Sequence, residues 1–78
     1  MDDKKVFEAM ESALQIEPRS LTLSCSSKNI VEWDSLGQLS ILTELDKLFD
    51  GKVAEINEMA EADSVESIID LLKNKGLI

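Results

Sequence analysis

The stretch that decides the fold is Glu32-Trp33-Asp34-Ser35-Leu36-Gly37-Gln38-Leu39, which predicts a loop that runs directly into a helix. Asp34 or Ser35 is placed to be the N-cap, since either side chain can accept a hydrogen bond from a backbone N–H of the first turn. Ser35 and Gln38, three residues apart, also have the spacing of a capping box. The sequence therefore predicts a helix that begins near residue 35 and extends to about residue 49.

Apolar residues after this start recur at helical spacing and predict the buried face of this second helix. They are Leu39, Ile41, Leu42, Leu45, Leu48 and Phe49. At about 100° per residue they fill roughly half of a helical wheel. Leu36 lies outside this set, on the polar side with Ser40, Thr43, Glu44 and Lys47. An outward-facing leucine beside a serine at the helix start is therefore the most informative feature of the chain.

The segment before the loop predicts a first helix over residues 3–16. Pro18 disfavours helical geometry at Glu17, so we expect the helix to end there. Its predicted apolar side consists of Val6, Phe7, Met10, Ala13 and Leu14. Its predicted polar side consists of Lys4, Glu8, Glu11 and Gln15.

Residues 18–33 lack helical periodicity and predict a long, serine-rich loop. Connections of this length in a small domain are usually functional or anchored by packing. The predicted anchors are Leu21, Leu23, Ile30, Val31 and Trp33. Cys25, the single cysteine, excludes an internal disulfide. It could be a surface thiol or a small buried residue, and burial is the favoured interpretation.

The chain after the second helix predicts a turn, a linker and a short helix. The second helix should end near Asp50-Gly51, because glycine can take the left-handed C-cap conformation. Residues 52–57 form a linker from which Val53 can reach the core. A brief third helix is predicted over residues 56–62.

The last helix is predicted to begin after a cap formed by Asp63 or Ser64, and Asp63 with Glu66 has the spacing of a capping box. Gly76 should close it. Its apolar face consists of Val65, Ile68, Ile69 and Leu72. Three amphipathic helices, one short helix and no strand pair predict an all-α fold. We expect a small four-helix bundle that forms a single domain, residues 1–78.

The composition limits the classes of partner. Of the 78 residues, 16 are acidic and 8 are basic, which gives a formal charge of −8. This charge repels nucleic acid and anionic membranes and attracts basic partners. No apolar run approaches the length of a membrane span, and no secretory segment is recognisable. We expect a cytoplasmic monomer that neither binds nucleic acid nor inserts into a membrane.

Ser35 has two interpretations that the residues themselves leave open. The chain has no histidine to activate a serine nucleophile, and it has no glycine-rich phosphate loop or metal-ligand spacing. The sequence therefore predicts no catalytic residue, no metal site and no enzymatic activity. Ser35 could be only a helix cap. Alternatively, it could accept a covalently attached phosphate at the positive end of the helix dipole.

Asp34-Ser35-Leu36, between a long loop and an amphipathic helix in an acidic helical chain, resembles the acyl carrier protein family. The resemblance covers nearly the whole chain, including the second helix ending in Phe49, the short third helix and the Ser64-Val65 start of the last. It implies that Ser35 receives 4'-phosphopantetheine from coenzyme A, attached through a phosphodiester by a separate phosphopantetheinyl transferase. The thiol of this arm would carry an acyl group as a thioester between loading and transferring enzymes of fatty-acid, lipid or specialised biosynthesis.

The resemblance also implies roles for residues around Ser35. Asp34 matches a residue that supports the magnesium-dependent transferase reaction, and Leu36 matches a leucine that partners contact. Partners also read the outer face of the second helix, which corresponds here to Ser40, Thr43, Glu44, Asp46 and Lys47. Apolar walls that could part to shelter the cargo are expected from Leu42, Leu45, Ile56, Met59, Ile68 and Leu72.

The chain departs from the fatty-acid members of this family on that outer face. Ser40 and Lys47 stand where those members usually carry acids, and Thr43 stands where they often carry methionine. Trp33 looks more like the corresponding residue of specialised stand-alone carriers. The resemblance therefore implies a dedicated carrier. Two alternatives stay open: an aminoacyl or peptidyl carrier of the same fold, and a helical interaction module in which Ser35 is only a cap.

Overall fold

The regular structure of the chain is helical. A computed structural model describes residues 3–78, and no strand occurs among these residues. The elements, in order, are α1 (Asp3–Leu14), α2 (Ser35–Leu48), a first 3-10 helix (Val53–Glu55), a second 3-10 helix (Asn57–Glu61) and α3 (Val65–Asn74). The all-α prediction is confirmed. None of these helices is both long enough and apolar enough to cross a bilayer.

Helix α1 ends earlier than Pro18 alone predicted. Gln15 adopts a positive φ of 57°. The Ile16 N–H donates to the Glu11 carbonyl at 3.1 Å, and the Gln15 N–H donates to the Ser12 carbonyl at 3.2 Å. This pair of bonds is a Schellman motif, which satisfies the last carbonyls of the helix. The boundary predicted at residue 16 is therefore wrong by two residues, and Gln15 is the residue that ends the helix.

Glu11 was predicted on the polar side of the first helix and is buried instead, with 5% of its surface exposed. The long loop folds back over α1 and brings the Leu21 N–H to 3.1 Å from Glu11 Oε2. Because that N–H lies in a buried place, it needs an acceptor, and the carboxylate provides one. The apolar side predicted for α1 is confirmed for Val6, Met10 and Leu14, which are buried.

The long loop is anchored by fewer residues than predicted. Leu21 and Trp33 are buried and Ile30 is half-buried, whereas Leu23 is 53% exposed and Val31 is 92% exposed. Turns account for both exceptions, because the Cys25 N–H bonds the Thr22 carbonyl and the Trp33 N–H bonds the Ile30 carbonyl. Each bond reverses the chain around the leucine or valine and leaves that side chain outside.

The loop is also joined to the start of α3. The Ser27 N–H donates to the Asp63 carbonyl at 2.9 Å, and the Val65 N–H donates to the Cys25 carbonyl at 3.0 Å. Cys25 is half-buried and packs against the core, which lies between the favoured burial and the alternative of a surface thiol. These bonds fix the loop across the end of the molecule where α3 begins.

Helix α3 has the predicted apolar face, and Val65, Ile68, Ile69 and Leu72 are buried. Its N-cap is Ser64, which accepts a hydrogen bond from the Ser67 N–H at 3.1 Å. The capping box predicted between Asp63 and Glu66 is wrong, because Ser67 supplies the reciprocal bond to Ser64. Gly76 follows the helix with a φ of 73°.

The two 3-10 helices between α2 and α3, residues 53–61, pack beside α2 and are called here the wall segment. The short helix predicted over residues 56–62 is present as the second 3-10 helix. Val53, Ile56 and Met59 point into the core and are buried. Asp46 Oδ1 on α2 accepts a hydrogen bond from the Ala54 N–H at 2.9 Å. This bond ties the beginning of the wall segment to the last turn of α2.

Candidate functional site

The start of α2 is capped by Asp34 and not by Ser35. Asp34 Oδ1 accepts a hydrogen bond from the Gly37 N–H at 2.8 Å, and the Asp34 carbonyl accepts one from the Gln38 N–H at 2.8 Å. Ser35 is the first residue of the helix and is exposed. The capping box predicted for Ser35 and Gln38 is wrong, because the Gln38 amide bonds other groups. The Ser35 hydroxyl is thus left outside the cap at an exposed helix N-terminus.

Gly37 explains how the loop meets this helix so closely. A Cβ at Gly37 would overlap the Glu32 carbonyl oxygen and come within 3.0 Å of Leu14 Cδ2. Only a residue without a side chain lets the loop backbone cross the first turn of α2 while that turn packs on α1. The crossing buries Gly37 and holds Asp34 and Ser35 at the surface.

Gln38 joins three parts of the structure. Its Oε1 accepts a hydrogen bond from Trp33 Nε1 at 2.6 Å. Its Nε2 donates to the Ala62 carbonyl at 2.8 Å and to the Met59 carbonyl at 3.2 Å. Sequence reasoning missed this role. The available signal was Trp33, because a buried tryptophan N–H needs an acceptor and Gln38 lies one helical turn beyond the cap.

Two depressions lie along the same side of α2. The first, called here the arm groove, opens beside Ser35 with a volume of about 630 Å³; its lining includes Trp33, Gln38, Leu39, Leu42 and Ala60. The second, called the inner pocket, has a volume of about 360 Å³; its lining includes Leu42, Val53, Ile56, Met59 and Ala60. Because Leu42 and Ala60 line both depressions, the two adjoin.

Three of the six residues predicted to shelter a cargo line these depressions. Leu42, Ile56 and Met59 form part of the inner pocket. Leu45, Ile68 and Leu72 are fully buried in the core and line neither depression. The accessible apolar wall is therefore formed by α2 and the segment after it.

Two leucines of α2 are exposed near Ser35. Leu36 is 74% exposed, which confirms that it faces outward. Leu39 was predicted to be buried but is 61% exposed, so that prediction is wrong. The reason is geometric, since Leu39 and the fully buried Ile41 are separated by about 200° around the helix. Leu39 instead shares a face with Leu36 and lines the arm groove.

The predicted partner face carries less free charge than its sequence suggests. Lys47 Nζ lies 3.6 Å from Glu44 Oε1 in an exposed ion pair. The Asp46 carboxylate is bonded to the Ala54 N–H, and the Thr43 hydroxyl donates to the Leu39 carbonyl at 2.9 Å. The face after Leu36 therefore combines an exposed leucine, one internal ion pair and an acidic side chain bonded by a neutral N–H.

Asp34, Ser35, Gln38 and Leu39 lie together around the arm groove, whereas Asp46 lies by the inner pocket. No group of three acidic or cysteine side chains converges into a possible metal site within residues 3–78. Comparisons of the chain with protein-family models, with curated proteins and with solved structures found no match. Function is therefore inferred from the geometry around Ser35.

Proposed function

We propose that the protein is an acyl carrier with 4'-phosphopantetheine attached to Ser35. The observation that carries this proposal is the position of Ser35. This residue is exposed and lines the arm groove, and its hydroxyl takes no part in the helix cap because Asp34 is the capping residue. Because Asp34 is the N-cap, the Ser35 hydroxyl at the first helical position is not needed for capping and is available for modification. The helical fold with its short wall segment would then be a four-helix arrangement of the acyl carrier type.

The residues around Ser35 fit a covalently attached phosphate. The N–H groups of Ser35 and Leu36 have no acceptor within α2, and the helix dipole is positive at this end. In the attachment step the Ser35 oxygen forms the new bond to phosphorus, the nucleotide part of coenzyme A leaves and the hydroxyl proton passes to the transferase or to water. Asp34 holds the helix start and therefore positions Ser35 for this step. Once attached, the arm supplies the thiol that holds an acyl group as a thioester.

The aliphatic side chains that line the two depressions favour an acyl group as the cargo. Leu39 and Leu42 line the arm groove, and Leu42, Ile56 and Met59 line the inner pocket. A methionine wall is adaptable because its side chain is unbranched and flexible. An aminoacyl or peptidyl carrier is the alternative within the same fold. Such a cargo would make less use of these apolar walls.

The enzymes that deliver or accept the cargo would contact Leu36 and the face that follows it. Because Lys47 pairs with Glu44 while the Asp46 carboxylate is bonded by a neutral N–H, we expect these partners to recognise an apolar surface of mixed charge. This property favours a dedicated carrier of a specialised pathway, acting as a cytoplasmic monomer. That assignment would be contradicted if the enzymes of general fatty-acid synthesis elongated chains on this protein as efficiently as on their own carrier.

A helical interaction module is the second candidate function. Leu36, Leu39 and Val31 are exposed and could form a docking surface without any attached arm. Co-expression with a broad-specificity phosphopantetheinyl transferase separates the two, with intact mass as the measurement. A carrier gains the mass of one phosphopantetheine. Folded protein that keeps its unmodified mass would favour the interaction module.

A further inference from the structure

Gln38 holds the wall segment against α2 at the end nearest Ser35. Its Nε2 donates to the carbonyls of Met59 and Ala62, the residues on either side of the stretch that contains Ala60. Ala60 and Leu42 form the boundary between the arm groove and the inner pocket. The two hydrogen bonds therefore fix the backbone that separates the two depressions.

We propose that Gln38 is a positioning residue that controls entry of a Ser35-borne cargo into the inner pocket. Release of its bonds to Met59 and Ala62 lets the second 3-10 helix move away from α2 and joins the two depressions. This proposal rests on the proposed carrier function for its cargo, but the movement itself is a property of the unmodified chain.

The other attachment of the wall makes such a movement local. Asp46 bonds the Ala54 N–H at the opposite end of the inner pocket, and this bond can persist while the Gln38 end opens. The wall between the two attachments is a 3-10 helix of five residues, Asn57–Glu61, whose hydrogen bonds have poorer geometry than those of an α-helix. The segment is thus hinged near Ala54 and latched at Gln38.

Met59 is the side chain that such a movement would displace. It is buried, with 1% of its surface exposed, and it also lines the inner pocket. Its carbonyl is bonded by Gln38, so the latch holds the backbone of the residue that fills the pocket. Opening the latch would withdraw Met59 and enlarge the space next to Leu42.

Gln38→Glu tests the latch in the unmodified protein. Glutamate keeps an acceptor for Trp33 Nε1 but loses the donor to the wall, whereas Asp46→Ala removes the bond at the far end. Amide hydrogen exchange at Met59 and Ala62 should rise about tenfold in Gln38→Glu, the effect of losing one to two hydrogen bonds. Exchange at Ile68 in α3 should stay unchanged, and Asp46→Ala should leave Met59 and Ala62 unchanged.

Two results would overturn the latch. They are unchanged exchange at Met59 and Ala62 in Gln38→Glu, or a rise that includes Ile68 to the same extent, which would show general destabilisation. Gln38→Met has a similar side-chain length but removes the acceptor of Trp33 Nε1 as well as the donor to the wall, so it must give a local rise at least as large as that of Gln38→Glu. If Gln38→Glu does not fold, Gln38→Met alone decides.

The position of the cargo tests the link to function. The protein is loaded from octanoyl-coenzyme A by a broad-specificity transferase, and contacts between the octanoyl methyl group and the Met59 methyl group are measured by NMR. These contacts should become stronger in Gln38→Glu than in the wild type, while Glu8→Ala, at an exposed position of α1, should match the wild type. Faster exchange without a change in these contacts would overturn the role in cargo entry. Failure to gain the octanoyl arm would refute the carrier function and leave the exchange result to decide the latch.

Discussion

The carboxylate of Asp34 accepts a hydrogen bond from the Gly37 N–H at 2.8 Å, so Asp34, and not the adjacent Ser35, caps α2. Asp34 fixes the first turn, and Ser35 presents a hydroxyl that the cap does not use. One acidic residue would thereby serve two purposes, helix capping and support of the transferase reaction.

Substitutions of Asp34 separate these two purposes. Asp34→Ala should lower the free energy of unfolding by about 1 kcal/mol through loss of the cap. Asp34→Ser keeps a capping oxygen and should retain most of the stability, yet it should slow attachment of phosphopantetheine because the carboxylate is gone. Denaturant unfolding and the rate of mass gain measure the two effects. Equal rates for Asp34→Ser and the wild type would contradict the supporting role of the carboxylate.

Gly37→Ala should destabilise the protein although alanine is the better helix former. Helix propensity alone predicts a gain of about 1 kcal/mol. The added Cβ would overlap the Glu32 carbonyl oxygen, and relief of such overpacking typically costs about 1–3 kcal/mol. Denaturant unfolding decides the sign, with Ser40→Ala on the same helix as the control. A stabilised Gly37→Ala variant would mean that the loop does not cross α2 as closely as described.

Glu11 should contribute to stability through the Leu21 N–H. Glu11→Ala leaves that buried donor without its acceptor and should cost about 1–3 kcal/mol. Glu11→Gln keeps an acceptor and should cost less. Glu8→Ala, at an exposed position of the same helix, should change stability by about 0.5 kcal/mol or less. Thermal or denaturant unfolding gives all three values, and equal losses for Glu8→Ala and Glu11→Ala would refute the anchor.

Salt should stabilise the chain, because its formal charge is −8. Moving from low to moderate salt screens the self-repulsion and should raise the midpoint of thermal unfolding. We expect a rise of about 2–4 °C, which corresponds to about 0.5 kcal/mol in a domain of this size. Glu58→Lys, at an exposed position of the wall segment, lowers the net negative charge and should reduce the salt effect. Equal midpoints in both salt conditions would contradict the prediction.

The sequence correctly predicted the features that depend on residues near one another in the chain. The start of α2 followed from Asp34 and Ser35, and the outward position of Leu36 followed from helical geometry. The apolar face of α3 followed from its periodicity. Each of these features depends on residues that are close together in the chain.

Features that depend on distant residues were missed. Burial of Glu11 requires the Leu21 N–H ten residues away, and the role of Gln38 requires carbonyls more than twenty residues away.

Two local features were also predicted incorrectly. The end of α1 depends on Gln15 in a left-handed conformation, which its residue type does not indicate. Leu39 was assigned to the core because it is apolar, although its angle around α2 places it opposite Ile41.

The attachment of phosphopantetheine to Ser35 is the central claim, and mass spectrometry of the purified protein tests it most directly. The wild type is incubated with coenzyme A, magnesium and a broad-specificity transferase beside Ser35→Ala and Ser27→Ala, the latter from a second serine that lines the arm groove. The wild type and Ser27→Ala should each gain one phosphopantetheine, located on Ser35 by peptide fragmentation, and Ser35→Ala should gain none. A folded wild type that gains no mass, or a Ser35→Ala variant that is still modified, would contradict the claim.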